Sequence, residues 1–205
     1  METIIDTGIY TAWGLALDHA GGNIFWSVSG TGAISVAKKD GSSARTLLTS
    51  PDIIDTGDVV LDPRNELVYW VDSSKGKIDR AAMDGSGQTT IITGLRNPGF
   101  ITIDFKEDRL YYRNHSYGVY SSDLLGKDIR QVLYEDGKWV FGIAVDEDVV
   151  YWSSVWQDSS SSWQAKIGKL SKSDLTKTVL VDGLVYPNGI YLSTAAPPGV
   201  TNVRP

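Results

Sequence analysis

An apolar strand that closes on aspartate recurs along the chain as Gly14-Leu15-Ala16-Leu17-Asp18, Asp58-Val59-Val60-Leu61-Asp62, Phe100-Ile101-Thr102-Ile103-Asp104 and Gly142-Ile143-Ala144-Val145-Asp146. The four aspartates lie 44, 42 and 42 residues apart, and a fifth copy, Gly189-Ile190-Tyr191-Leu192-Ser193, follows after 47 without the acid. Each aspartate leads through a short turn to an aromatic pair: Phe25-Trp26, Tyr69-Trp70, Tyr111-Tyr112 or Tyr151-Trp152. The pair opens a second strand. A third strand is centred on Ile34, Ile78, Val119 or Ile167, and the fourth is Thr46-Leu47-Leu48, Thr90-Ile91-Ile92, Gln131-Val132-Leu133 or Thr178-Val179-Leu180. Asp40-Gly41 and Asp84-Gly85 mark hairpin turns, because glycine reaches the positive φ that tight turns demand. Four short strands in a repeat of roughly 42 to 48 residues are the pattern of a β-propeller blade.

No window sustains apolar residues at i, i+3, i+4 and i+7, which disfavours a helical solenoid, and a β-sandwich would not repeat one four-strand signature. The chain has 205 residues, enough to bury a core without a disulfide or metal. Cysteine is absent, which excludes thiolate zinc sites and cysteine nucleophiles. Net charge is −6, the wrong sign for a phosphate-binding surface, so nucleic acid is not an expected partner. No apolar run has the length of a membrane span, and residues 1–10 lack the basic and apolar regions of a signal peptide.

The aromatic tetrads Phe25-Trp26-Ser27-Val28, Tyr69-Trp70-Val71-Asp72, Tyr111-Tyr112-Arg113-Asn114 and Tyr151-Trp152-Ser153-Ser154 resemble the YWTD, or class B, repeats of the low-density lipoprotein receptor family. Asp79-Arg80-Ala81-Ala82-Met83-Asp84-Gly85-Ser86 resembles that family's third strand and turn, and Tyr186-Pro187-Asn188-Gly189-Ile190 its entry to a first strand. The resemblance implies a propeller that binds other proteins outside the cell. It also implies six blades, whereas this sequence holds four full repeats and one partial one. Thr3-Ile4-Ile5-Asp6 as an outermost strand and Gly189 to Ser193 as an innermost one would make an incomplete closing blade. The expected architecture is therefore all-β, with residues 1–194 as a five-bladed propeller or a partial six-bladed ring, and self-association if the ring stays open. Residues 195–205, rich in proline, read as a linker.

Strand alternation puts the linkers into each first strand and the loops between second and third strands on one face. Aromatic residues gather in those segments: Tyr10, Trp13, Tyr117, Trp139, Phe141, Trp156, Trp163 and Tyr186, together with His115. Such a rim has the composition of a protein-binding surface, since tryptophan and tyrosine give large contact area at small entropic cost. Trp13, Trp139 and Phe141 have an alternative use as plugs of a central channel. Trp156 and Trp163 flank the serine run 159–162 in the longest interruption of the repeat, read as an irregular loop and the leading site candidate. Asp52, Asp55, Glu135 and Asp136 offer acidic contacts to a basic partner. Asn114-His115-Ser116 is a glycosylation sequon, and His115 is a candidate contact that charges on acidification.

Neither histidine has a catalytic context, and no G-x-S-x-G elbow or spaced calcium loop is present. The repeated aspartates suit turns, where the side chain accepts from backbone amides two residues on. No cofactor and no enzymatic activity are expected. Two rival readings stay open: a metal-dependent hydrolase or lactonase using Asp55, Asp58, Asn97 and Asn188, and a lectin using exposed tryptophans as sugar platforms.

Overall fold

The structure is a computed structural model that describes residues 4–5, 12–49 and 55–184. The chain divides into two compact units, Met1–Gly99 and Phe100–Pro205. Unit 1 holds β1 (Ala12–Asp18), β2 (Asn23–Val28), β3 (Ala33–Lys38) and β4 (Arg45–Thr49), then β5 (Thr56–Asp62), β6 (Leu67–Asp72), β7 (Lys77–Ala82) and β8 (Thr89–Ile92). Unit 2 holds β9 (Ile101–Asp104), β10 (Arg109–Asn114), β11 (Gly118–Asp123) and β12 (Arg130–Tyr134), then β13 (Trp139–Val145), β14 (Val149–Gln157), β15 (Trp163–Ser171) and β16 (Lys177–Leu184). Each run of four is one antiparallel sheet with its strands in sequence order. No helix occurs among the described residues.

The turn aspartates do what the sequence suggests. Asp62, Asp104 and Asp146 accept from the backbone amides of Arg64, Lys106 and Asp148 at 3.2, 2.9 and 3.0 Å, and Asp18 accepts from Gly21 at 2.8 Å. Each thereby fixes the hairpin that delivers its aromatic pair. Asp40 and Asp84 accept from the Ser42 and Ser86 amides, and the glycines after them take φ of 81° and 94°.

Register alternation sends the two members of each aromatic pair to opposite faces of their sheet. In unit 1, Phe25, Ile34, Val36 and Leu48 of the first sheet pack against Val59, Leu61, Val68, Trp70 and Ala81 of the second. In unit 2, Tyr111, Val119 and Leu133 of the third sheet pack against Val140, Ile143, Val150, Trp152 and Leu170 of the fourth. One interface rule thus serves both units. Two glycines allow close approach in unit 1: a Cβ on Gly14 of β1 would stand 2.6 Å from the Val59 nitrogen of β5, and one on Gly57 of β5 would stand 3.0 Å from the carbonyl oxygen of Gly99, in the segment after β8. Ser27 joins them, receiving the Gly14 amide at 2.9 Å and donating to the Gly57 carbonyl at 2.5 Å.

Ile4 and Ile5 belong to no strand, and Ile5 packs on the face of the first sheet formed by Ile24, Trp26 and Val28. Thr3, Asp6, Gly189–Ser193 and the tail 195–205 lie outside the described residues, as does the closing blade read from them.

Candidate functional site

The serine-rich insertion is not an irregular loop. β14 and β15 run on to nine residues each and stay paired through Trp156↔Gln164 and Gln157↔Trp163, leaving only 158–162 as the turn. Asp158 closes that turn. Its Oδ1 accepts from the Ser160 amide at 2.8 Å, the Ser160 hydroxyl at 2.6 Å and the Ser162 amide at 3.1 Å, and its Oδ2 accepts from Gln164 Nε2 at 2.9 Å. The Ser160 hydroxyl first, then the Ser162 amide, hold its carboxyl below the usual carboxylate range.

This pairing separates two residues that the sequence places together. Trp156 lies opposite Gln164 and Trp163 opposite Gln157, so they face opposite sides of one hairpin. Trp163 instead meets Trp139 of β13, with ring centroids 5.7 Å apart and planes at 46°, and Trp139 meets Phe141 at 6.5 Å. Trp139 and Trp163 remain 40% and 37% exposed, large values for rings already in mutual contact. Phe141 sits where the β13–β14 register slips between Val140 and Gly142, a bulge that re-aims its side chain. On the reverse side Trp156 carries the Lys138 ammonium 5.3 Å from its ring centroid.

The linker from β12 to β13 is tied down from below. Glu135, read from sequence as an exposed acid for a basic partner, is 6% exposed and engaged: Lys166 Nζ lies 2.7 Å and Lys177 Nζ 3.8 Å from its carboxylate, and Ser154 Oγ donates at 3.4 Å. Its charge is spent inside the protein, because a carboxylate leaves water only with paired cations and hydrogen bonds. Lys177 also donates to the Tyr134 carbonyl at 2.9 Å. Arg113 reaches across from β10 to donate to the Val140 carbonyl at 2.9 Å, with its guanidinium over the Phe100 ring, and burial pushes its pKa down to about 10.

The turn between β10 and β11 joins the same edge of unit 2. The Val140 amide donates to the Ser116 carbonyl and the Glu135 amide to the Tyr117 carbonyl, both at 2.8 Å, and Tyr117 meets Tyr134 edge-on at 6.4 Å. His115 is exposed at the tip with φ of 57° and donates its amide to Asn114 Oδ1. Unit 2 therefore brings His115, Tyr117, Trp139, Phe141, Trp156 and Trp163 to neighbouring segments. In unit 1, Trp13 is 65% exposed at a bulge in β1, and Asp55 accepts a hydrogen bond from the Ser29 hydroxyl. Tyr10, Asp52, Tyr186 and Asn188 lie outside the described residues. Among the described residues no three histidine or acidic side chains are grouped to hold a metal ion.

Arg113, Lys138, Lys166 and Lys177 shape this site and were not legible as doing so. The third place of the tetrad Tyr111-Tyr112-Arg113-Asn114, where a large cation replaces a small residue, was the one signal for Arg113.

The sequence model described as Low-density lipoprotein receptor repeat class B matches residues 66–105, from the start of the second strand in the second sheet through the first strand of the third. Among solved structures, one chain of the "Crystal structure of Nidogen/Laminin Complex" is similar at TM-score 0.73 and 23% identity, over 86% of this chain and 65% of that one. A chain of the tricorn protease is similar at TM-score 0.63 and 11% identity, over 82% and 16%. A chain of Kuenenia stuttgartiensis hydrazine synthase is similar at TM-score 0.65 and 10% identity, over 90% and 52%. At those identities the likeness is one of fold. Four consecutive four-stranded sheets and these matches assign the chain to the β-propeller class, with a class B repeat at residues 66–105.

Proposed function

We propose that this chain is a non-enzymatic propeller module of an extracellular or receptor-like protein, and that it binds a protein ligand through the platform formed by Trp139, Phe141 and Trp163. The observation that carries the reading is the pair of large exposed indoles in contact, held on paired strands. Aromatic anchors that are already ordered lose little entropy on binding, which is why they dominate interface energetics. Arg113, Glu135, Lys166 and Asp158 act as supports that keep the platform in place, with Lys138 held over Trp156 on its reverse side, and the ligand approaches an apolar surface. Trp156, on the reverse side of the hairpin, Tyr117 on the neighbouring turn, and Trp13, Asp55, Tyr10 and Tyr186 are contacts apart from the platform. Two facts support a protein partner: the class B repeat, and a fold neighbour crystallised in a complex of nidogen with laminin.

The test is a binding screen of the purified chain against an array of extracellular matrix and secreted proteins, repeated with Trp139→Ala and Trp163→Ala. Each substitution is expected to weaken a positive interaction by about 1–3 kcal/mol, roughly tenfold to hundredfold, at unchanged thermal stability. Unchanged binding in both variants removes the platform from the site. A glycan array showing tryptophan-dependent sugar binding favours the lectin. Stoichiometric calcium binding by calorimetry with a large stability gain favours the hydrolase.

A further inference from the structure

The repeat supplies its own control for which sheet faces are finished. Leu15, Val59, Ile101 and Ile143 occupy one register position, opposite Trp26, Trp70, Tyr112 and Trp152 respectively. Val59, Ile101 and Ile143 are 3%, 4% and 7% exposed, whereas Leu15 is 62% exposed. Leu17 repeats the contrast at 43% against 6% for both Leu61 and Ile103. At the other end of the repeat series, Leu48, Ile92, Leu133 and Val181 share a position opposite Ile34, Ile78, Val119 and Ile167. The first three are 8%, 3% and 1% exposed, and Val181 is 43% exposed. These are large apolar side chains at positions the repeat otherwise buries.

The two unfinished faces are of opposite kind. In unit 1 the face carrying Val59, Leu61 and Trp70 packs on the face carrying Phe25, Ile34 and Leu48, and unit 2 repeats that arrangement between its two sheets. The open face of the first sheet, with Leu15, Leu17 and Trp26, is of the first kind. The open face of the fourth, with Tyr151, Ile167 and Val181, is of the second. Lys169 beside Tyr151 is no obstacle, because Arg80 holds the equivalent place beside Tyr69 in a face that is buried. Ile5 covers the Ile24, Trp26 and Val28 portion of the first face and leaves Leu15 and Leu17 in solvent.

We infer that a second copy of this chain covers these faces: the Leu15–Leu17 face of one molecule packs on the Val181 face of another, by the interface rule each unit already uses within itself. Such a contact is head-to-tail, so it closes into a ring or continues to higher oligomers according to the rotation it imposes. The Trp139–Trp163 platform lies on this same Val181 face of the fourth sheet, on the hairpin extension beyond Ile167. Leu15 is on the other unfinished face and in the other unit, so a change there tests the self-contact without altering the platform.

The experiment is sedimentation equilibrium across a wide range of protein concentration, with circular dichroism to verify folding. The wild-type mass is expected to rise with concentration. Leu15→Glu and Val181→Glu, both at exposed positions, are each expected to hold the chain as a monomer at concentrations at least about tenfold higher, the size of an interface anchor's loss. The two variants mixed restore association, since Val181→Glu keeps an intact Leu15 face and Leu15→Glu an intact Val181 face. That mixture stops at a 1:1 heterodimer. A wild-type monomer at every concentration, whether its faces are bare or covered by the chain's own remaining residues, overturns the inference. So does a mixture that fails to pair.

Discussion

Gly168 is the tightest single position in the fourth sheet. It lies opposite Trp152 in the β14–β15 register, and a Cβ there would stand 2.6 Å from the indole Cη2 and 2.8 Å from Cε2. The equivalent places opposite Trp26, Trp70 and Tyr112 hold Ser35, Asp79 and Tyr120, so the repeat does not require glycine. The requirement belongs to this indole's position. Gly168→Ala is expected to destabilise by about 1–3 kcal/mol through overpacking, read as a fall in melting temperature. Trp152→Phe removes the atoms in conflict, so the double variant is expected to lose less than the two singles combined, and additivity would place the strain elsewhere. Lys166 makes a second residue-scale prediction. Lys166→Met leaves Glu135 buried with its nearer cation gone and is expected to cost roughly 3 kcal/mol, whereas removing both charges costs less. The turn aspartates were legible because each acts on amides two or three residues away. Glu135 was not, because Lys166 and Lys177 come from strands that the sequence separates from it by 31 residues or more.

The element that sequence misread is the β14–β15 hairpin. A serine run carries no apolar alternation, so it resembles a loop. The signal was nevertheless present: Asp158-Ser159-Ser160 repeats the spacing of Asp40-Gly41-Ser42 and Asp84-Gly85-Ser86, where the aspartate accepts from the serine amide two residues on. Reading it as a turn would have extended both strands and put Trp156 and Trp163 on opposite sides. Asp158 then becomes the element's control point. Its hydrogen bonds depress the folded-state pKa, so their contribution is present above the ordinary carboxylate value of 3.8 and is lost as pH falls through the depressed value. Asp158→Ala is expected to reproduce the acid state at neutral pH: hydrogen exchange across 157–164 rises and ligand affinity falls, while the melting temperature hardly moves because the turn is exposed. A melting temperature that drops with it would make the turn part of the core.

Periodicity exposes the number and order of sheets because every sheet obeys the same local grammar, but it cannot say which faces find a neighbour. Leu15 and Val59 look alike in sequence and differ by 62% against 3% exposure in the fold. In a repeat array each unit is stabilised by its own sheet and by the adjoining interfaces, so a sheet with an open face opens locally at lower free energy than one packed on both sides. β16 has seven of eight residues exposed, and β1 carries Trp13, Leu15 and Leu17 in solvent. β6, by contrast, is buried from Val68 to Asp72. Amide exchange is therefore expected to be fast in β16, intermediate in β1 and slow in β6 when the protein is dilute. Raising the concentration is expected to slow β1 and β16 together and leave β6 unchanged, because head-to-tail contact buries one face of each. Protection that grows in only one of the two strands would mean a symmetric contact between like faces, and the repeat's interface rule would then not extend beyond the single chain.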